Sequence, residues 1–169
     1  MSLRQIDQGR QFGARGGQAG LLVLLLLLAL PFAVGFVAAR INAGAIPGWY
    51  TTLVAPPGNP PNWVFAPVWT GLYLLMGVAA WRVWLRAGWP ALRPWFAQLA
   101  INALWTPAFF GLQSPLLGLG VILLLAGAVG VTVLAFRRHD RVAAALLLPY
   151  LGWVTYAAYL NAGFAWLNR

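Results

Sequence analysis

The chain has 169 residues, of which 62% are hydrophobic and only 8% charged, with a net charge of +9. Soluble domains carry roughly 25% charged residues, so this composition excludes a wettable globule. It equally excludes a disordered chain, which would be polar and highly charged. All eleven basic residues are arginines scattered along an apolar chain, and Asp7 and Asp140 are the two acids. This dispersion reads as membrane-topology signalling, not as a nucleic-acid surface.

In chain order, residues 1–18 form a polar tail bearing Arg4, Arg10 and Arg15. A first apolar span follows at about 19–39, centred on the leucine run Leu24–Leu28. A signal peptide also opens with arginines and a short apolar core, but here the apolar stretch continues to Ala39, which is span length. The segment 44–62 is too rich in Pro and Gly to be one helix. Further spans are predicted at about 63–85, 95–110, 116–136 and 142–165. The break between the third and fourth falls at Gly111-Leu112-Gln113-Ser114-Pro115. The expected fold is therefore an all-α, five-helix membrane domain over 19–168, with lipid as its solvent and no charged residue near the centre of any span.

Five crossings place the tail, the loop with Arg82, Arg86 and Arg93, and the loop with Arg137, Arg138 and Arg141 on one side. Nine arginines then face two, Arg40 and Arg169, on the other. The positive-inside rule puts the N-terminus in the cytoplasm and the C-terminus outside a cell membrane.

Catalytic chemistry has few players. There is no cysteine, and the single histidine, His139, sits in an arginine-rich loop. No metal-ligating cluster is legible, and intramembrane carboxylates for a proton relay are missing. Indole is abundant instead. Trp49, Trp63, Trp89, Trp95 and Trp166 lie near span ends, as an interfacial belt would have them. Trp69, Trp105 and Trp153 fall deeper. Gln98, Asn102, Trp105 and Phe109 share one helical stripe. Tyr150, Trp153, Ala157 and Asn161 share another, and Trp69, Tyr73 and Met76 a third. Helix packing with amide glue and an aromatic-lined pocket both account for these faces.

The same residues carry a family resemblance. Trp49-Tyr50, Pro56, Pro60-Pro61, Trp63-Val64-Phe65, Pro67-Val68-Trp69-Thr70 and Leu72-Tyr73 resemble the signature of the TspO/translocator-protein family. So do Gln98, Asn102, Trp105, Pro107 and Phe109-Phe110-Gly111, followed by Pro149-Tyr150-Leu151, Trp153, Ala157 and Leu160-Asn161. The resemblance implies a five-helix bundle, commonly a homodimer, that binds porphyrins or other flat aromatic ligands beneath its first loop. It requires no cofactor; porphyrin is the ligand. The implied site comprises Trp49, Trp69, Tyr73, Asn102, Trp105, Phe109, Tyr150, Trp153, Ala157 and Asn161. Trp69 and Trp153 would also serve light-dependent porphyrin breakdown, so receptor or carrier, photochemical enzyme and partner-dependent regulator all stay open. The chain departs from the pattern at Ala55 and Gly58, where a basic residue and a Trp are common. Ala162 stands where the sterol motif has Tyr, so sterol binding is not implied.

Overall fold

A computed structural model describes residues 17–169; the arginine-bearing tail expected over 1–18 lies almost wholly outside them. Every regular element among the described residues is helical. Helix α1 spans Gln18–Ala45, α2 Phe65–Ala87, α3 Arg93–Thr106, α4 Pro115–Arg137, α5 Arg141–Leu146 and α6 Leu148–Leu167. Among the described residues, four stretches are long and apolar enough to cross a membrane: Gln18–Ala45, Asn62–Ala87, Pro115–Arg137 and Arg141–Leu167. The third segment is shorter, because α3 passes at Pro107 into a widened π turn, Pro107–Gly111.

Local chemistry sets the ends. Arg40 does not stop α1 at residue 39, since a long side chain at a span end can carry its charge to water. The helix runs on to Ala45, and Pro47 and Gly48 follow it. Gly88, at φ +74°, closes α2 in a conformation that disfavours a side chain. Ser114 caps α4, its hydroxyl accepting from the Leu117 amide at 3.3 Å, with Pro115 in the first turn. In the π turn, the amides of Leu112 and Ser114 donate to the carbonyls of Pro107 and Phe109, five residues back. Each widened turn fits an extra residue, which lets the adjacent Phe109 and Phe110 both be buried.

Helix α4 packs against α3 and α6, α1 against α2, and α5 against α2 and α4. Glycines admit the closest approaches. A Cβ on Gly77 would lie 2.9 Å from the Leu27 carbonyl oxygen, so α1 and α2 touch backbone to side there. A Cβ on Gly118 would lie 2.6 Å from Phe109 and 2.9 Å from Asn161 Oδ1, which ties α4 to the π turn and α6. Trp95, expected in the interfacial belt, is fully buried, and its indole donates to the Met76 carbonyl at 3.2 Å. An indole one turn from a helix start can point inward as readily as outward, and here the bond to the Met76 carbonyl holds it inward. Trp63, Trp89 and Trp166 are exposed.

At the arginine-rich end, Asp140 begins α5. Its Oδ1 accepts from the amides of Val142 at 2.8 Å and Ala143 at 3.2 Å. Its Oδ2 meets Arg82 Nε at 2.8 Å and Arg86 Nη1 at 2.6 Å. Burial pushes the carboxyl pKa up, but the Arg82 hydrogen bond, the two amides and the Arg82 charge together hold it below its usual value.

Candidate functional site

The opposite end of the bundle holds a cavity roofed by the loop between α1 and α2. The roof begins with a 3-10 turn at Trp49–Thr52 and returns through a second at Asn62–Val64. Its Tyr50 and Trp49 rings face the π turn, Tyr50 centred 5.5 Å from Phe110 and Trp49 5.6 Å from Phe109. Burial raises the Tyr50 hydroxyl pKa, and the bond with Asn59 lowers it by less. The roof is fastened to α6 by polar groups. Tyr156 donates to the Gly58 carbonyl and Tyr159 to the Pro57 carbonyl at 3.0 Å. Asn168 accepts from the Val54 amide at 2.8 Å and donates to the Val54 carbonyl at 3.0 Å. Pro56 rests on Gly163, where any Cβ would collide with its ring.

Beneath the roof lie two adjoining chambers, of about 730 Å³ and about 120 Å³. The larger falls in the usual size range of small-molecule sites, roughly 300–1,000 Å³. Its walls are Phe32, Phe36, Ala39 and Asn42 of α1, Trp69 and Tyr73 of α2, Asn102, Trp105 and Thr106 of α3, and Ile122 and Leu125 of α4. Phe36 is 69% exposed, so this wall reaches the outer surface of the bundle. The smaller chamber lies between Tyr50 and Asn59 of the roof, Phe109 and Phe110 of the π turn, and Ala157, Leu160, Asn161 and Phe164 of α6. Asn42, Ile46, Asn62, Phe65, Trp69 and Trp105 line both.

Of the ten residues picked out by sequence, Trp69, Tyr73, Asn102 and Trp105 stand on the larger chamber. Phe109, Ala157 and Asn161 join Trp69 and Trp105 on the smaller. The remaining three stand behind the walls. Tyr150 is fully buried and accepts from Asn102 Nδ2 at 2.7 Å, and its ring backs Trp69 at 6.2 Å. Trp49 backs Phe109. Trp153, expected to be a pocket tryptophan, packs instead on Phe65 at 5.8 Å and Tyr156 at 5.7 Å. Within that stripe Tyr150 and Asn161 are buried together with Val154 and Ala158, while Trp153 and Ala157 lie half-buried on its flank. Spacing defines which residues share a face but not how far that face is rotated.

The wall groups are fixed by short-range contacts. Trp105 Nε1 donates to Asn161 Oδ1 at 3.3 Å, and Asn161 Nδ2 donates to the Ala157 carbonyl at 2.9 Å. Trp105 also stacks on Phe109, with centroids 5.6 Å apart and planes at 23°. Trp69 leans on Tyr73 at 5.3 Å and 35°. Among the described residues, the lining holds no charged side chain. It can stack flat surfaces and offer neutral hydrogen bonds; it presents no nucleophile and base in contact.

Asn42 was not legible as a wall residue, because it lies beyond the predicted end of the first span. The signal was present: Phe32, Ala39, Asn42 and Ile46 repeat at helical spacing. Phe65 and Tyr50 were likewise not legible as wall residues, since only the folded roof brings them there, whereas Phe164 continues the helical stripe through Ala157 and Asn161.

Comparison with known proteins follows the same residues. The model of the TspO/MBR family matches residues 27–167. The tryptophan-rich protein TspO of Chlorobaculum tepidum is 43% identical over 154 residues, covering 88% of this chain and 97% of its own. The tryptophan-rich sensory protein of Cereibacter sphaeroides is 46% identical over 114 residues, covering 67% and 72%. The translocator protein of Bos taurus is 37% identical over 138 residues, covering 78% and 82%. With matches that run from α1 to the end of α6, this chain is an integral membrane protein of the TspO/MBR family.

Proposed function

We propose that this protein is a membrane receptor or carrier that binds porphyrins, and other flat apolar molecules, in the chamber beneath its first loop. The observation that supports this reading is the pairing of Trp69 and Trp105 on one cavity of about 730 Å³ that has no charged lining residue among the described residues. Indole faces stack on planar rings, at a gain of about 0.5–1.5 kcal/mol each beyond area burial. Relatives named as translocator and sensory proteins are consistent with a carrier or sensory role. The test is titration of the purified protein with protoporphyrin, followed by tryptophan quenching. Saturable quenching is expected, and it should weaken in Trp69→Ala and Trp105→Ala. Linear, non-saturable quenching that persists in both variants would reject the reading.

The membrane arrangement belongs to the same proposal. α3 with its π turn is taken as a fifth crossing, giving a five-helix bundle. The arginine-rich end, with Arg82, Arg86, Arg137, Arg138 and Arg141, faces the cytoplasm. A reporter fused after Arg169 is then expected on the external side, and one inserted at Arg138 in the cytoplasm; exchanged signals would invert the assignment. A homodimer is proposed through the outer face of α4. A Cβ on Gly120, Gly127 or Gly130 would meet nothing within 4 Å, so this strip leaves room for close helix approach.

A further inference from the structure

The end of the bundle away from the cavity carries charge that the fold gathers and leaves uncovered. Asp140 ties the loop between α4 and α5 to α2, its carboxylate meeting Arg82 at 2.8 Å and Arg86 at 2.6 Å. Those two arginines therefore stand beside the loop that bears Arg137, Arg138 and Arg141. Among the described residues, the ion pairs formed are those of Asp140, so Arg137, Arg138 and Arg141 are unpaired. The carboxylate is buried and these three arginines are exposed, so the face turned outward is cationic. Topology signalling needs such residues on one side of a membrane; it does not need two loops tied into one patch. The neighbours set the depth of that patch. The Trp81 indole donates to the Gly20 carbonyl at 3.0 Å, and the exposed Trp89 ring meets Trp84 edge-on at 5.9 Å. Tryptophans at span ends sit at headgroup level. Exposed apolar side chains adjoin the charges: Leu134 lies one turn inward of Arg137 and Arg138 on the same helix face, and Val142 follows Arg141. A molecule seated here meets guanidinium groups at one end and lipid-facing hydrocarbon at the other.

We propose that the arginine-rich end is a binding site for an anionic phospholipid, its phosphate held by Arg137, Arg138 and Arg141 and its chains lying along Leu134 and Val142. Guanidinium groups grip phosphate oxygens through paired N–H donors. Arg82 and Arg86 add positive potential: five arginines here face one carboxylate, which is already engaged. A free anion would use the charges alone, whereas a lipid uses the charges and the adjoining apolar surface. None of these residues lines either chamber beneath the roof, so the site is separate from the one proposed above. The same chemistry holds in either leaflet.

The experiment is native mass spectrometry of the purified full chain in detergent, with dioleoylphosphatidylglycerol and dioleoylphosphatidylcholine supplied at equal concentration. The two lipids share their chains, so the retained ratio reads the headgroup. The parent should retain the glycerol lipid about fivefold or more over the choline lipid. The triple variant Arg137→Gln, Arg138→Gln, Arg141→Gln should bring the ratio below about twofold, and the matching triple Lys variant, which keeps the charge, should stay well above it. The double variant Arg40→Gln, Arg169→Gln, which removes charge at the other end, should select as the parent does. Glycerol 1-phosphate in about tenfold excess should not displace the lipid, because it lacks the chains. Equal retention of the two lipids by the parent would overturn the proposal, as would an undiminished ratio in the triple Gln variant. Loss of selection in the Arg40 and Arg169 variant would overturn it too, by showing that total charge and not this patch is read. Displacement by glycerol 1-phosphate would overturn the lipid assignment in favour of a free phosphate. If the triple Gln variant does not fold, the three single Gln variants replace it, and an unchanged ratio in all three would overturn the proposal.

Discussion

Asp140→Ala is expected to be the most destabilising single substitution outside the apolar core, lowering stability by about 2–3 kcal/mol. Two losses add. The first is the N-cap of α5, since Ala cannot accept from the amides of Val142 and Ala143, at a cost of about 1 kcal/mol. The second is the pairing of a carboxylate that is only 4% exposed with Arg82 and Arg86. Removing one partner from a fully buried pair costs about 3–5 kcal/mol. The two guanidinium groups here are 29% and 38% exposed, so they regain water, and solvent screening reduces this second loss to about 1–2 kcal/mol. Asp140→Asn separates the contributions, because its amide oxygen can still cap the helix. It should lose only the charge pairing. The pH dependence has a definite sign. The folded carboxyl has a lowered pKa, so its stabilisation is complete above the ordinary carboxylate value and disappears as the pH falls through the lower folded one. Thermal melts of the parent and Asp140→Asn should therefore converge in acid and separate toward neutrality. Equal melts at neutral pH would show that the Arg82–Asp140–Arg86 contact holds nothing together.

Ala157→Leu is expected to reduce ligand affinity by tenfold or more, equivalent to about 1.4 kcal/mol, with Tm changed little. Ala157 lines the smaller chamber beside Asn161, whose amide donates to the Ala157 carbonyl. The added carbons would enter a space of only about 120 Å³ and fill much of what a ligand would use. If the space is too tight for them, overpacking costs about 1–3 kcal/mol and appears first as a lowered Tm. Reduced Tm with unchanged affinity would place Ala157 in the packing and outside the site.

These two positions also show how unevenly the molecule was written in its sequence. Local features were legible. The leucine run, the Pro/Gly breaks at 47–61 and at 111–115, and the arginine clusters place the helices and their ends to within a few residues. Helix α1 runs six residues past the end expected at Ala39, because the reach of the Arg40 side chain makes a boundary there unnecessary. The site was legible as stripes, which require only helical spacing. What spacing does not contain is rotation. It set Trp153 beside Trp69, whereas α6 turns Trp153 onto Phe65. It left Trp95 at the interface, whereas the Met76 carbonyl draws it inward. The pairing of Asp140 with arginines more than fifty residues earlier was not legible at all, although an Asp just before an apolar helix is itself a capping signal. Long-range partners depend on helix rotation and register together.

A flat ligand held between Trp69 and Trp105, as proposed, would be visible to fluorine NMR. Uniform labelling with 5-fluorotryptophan gives ten reporters, one at each indole, and fluorine NMR resolves them by single Trp→Phe assignments. On addition of protoporphyrin, ring currents should move the Trp69 and Trp105 resonances most. Trp153, behind Phe65, should move less, and the exposed Trp63, Trp89 and Trp166 should stay in place. Shifts confined to the exposed tryptophans, with Trp69 and Trp105 unmoved at saturation, would rule out binding in the chamber and place the ligand on the lipid-facing surface.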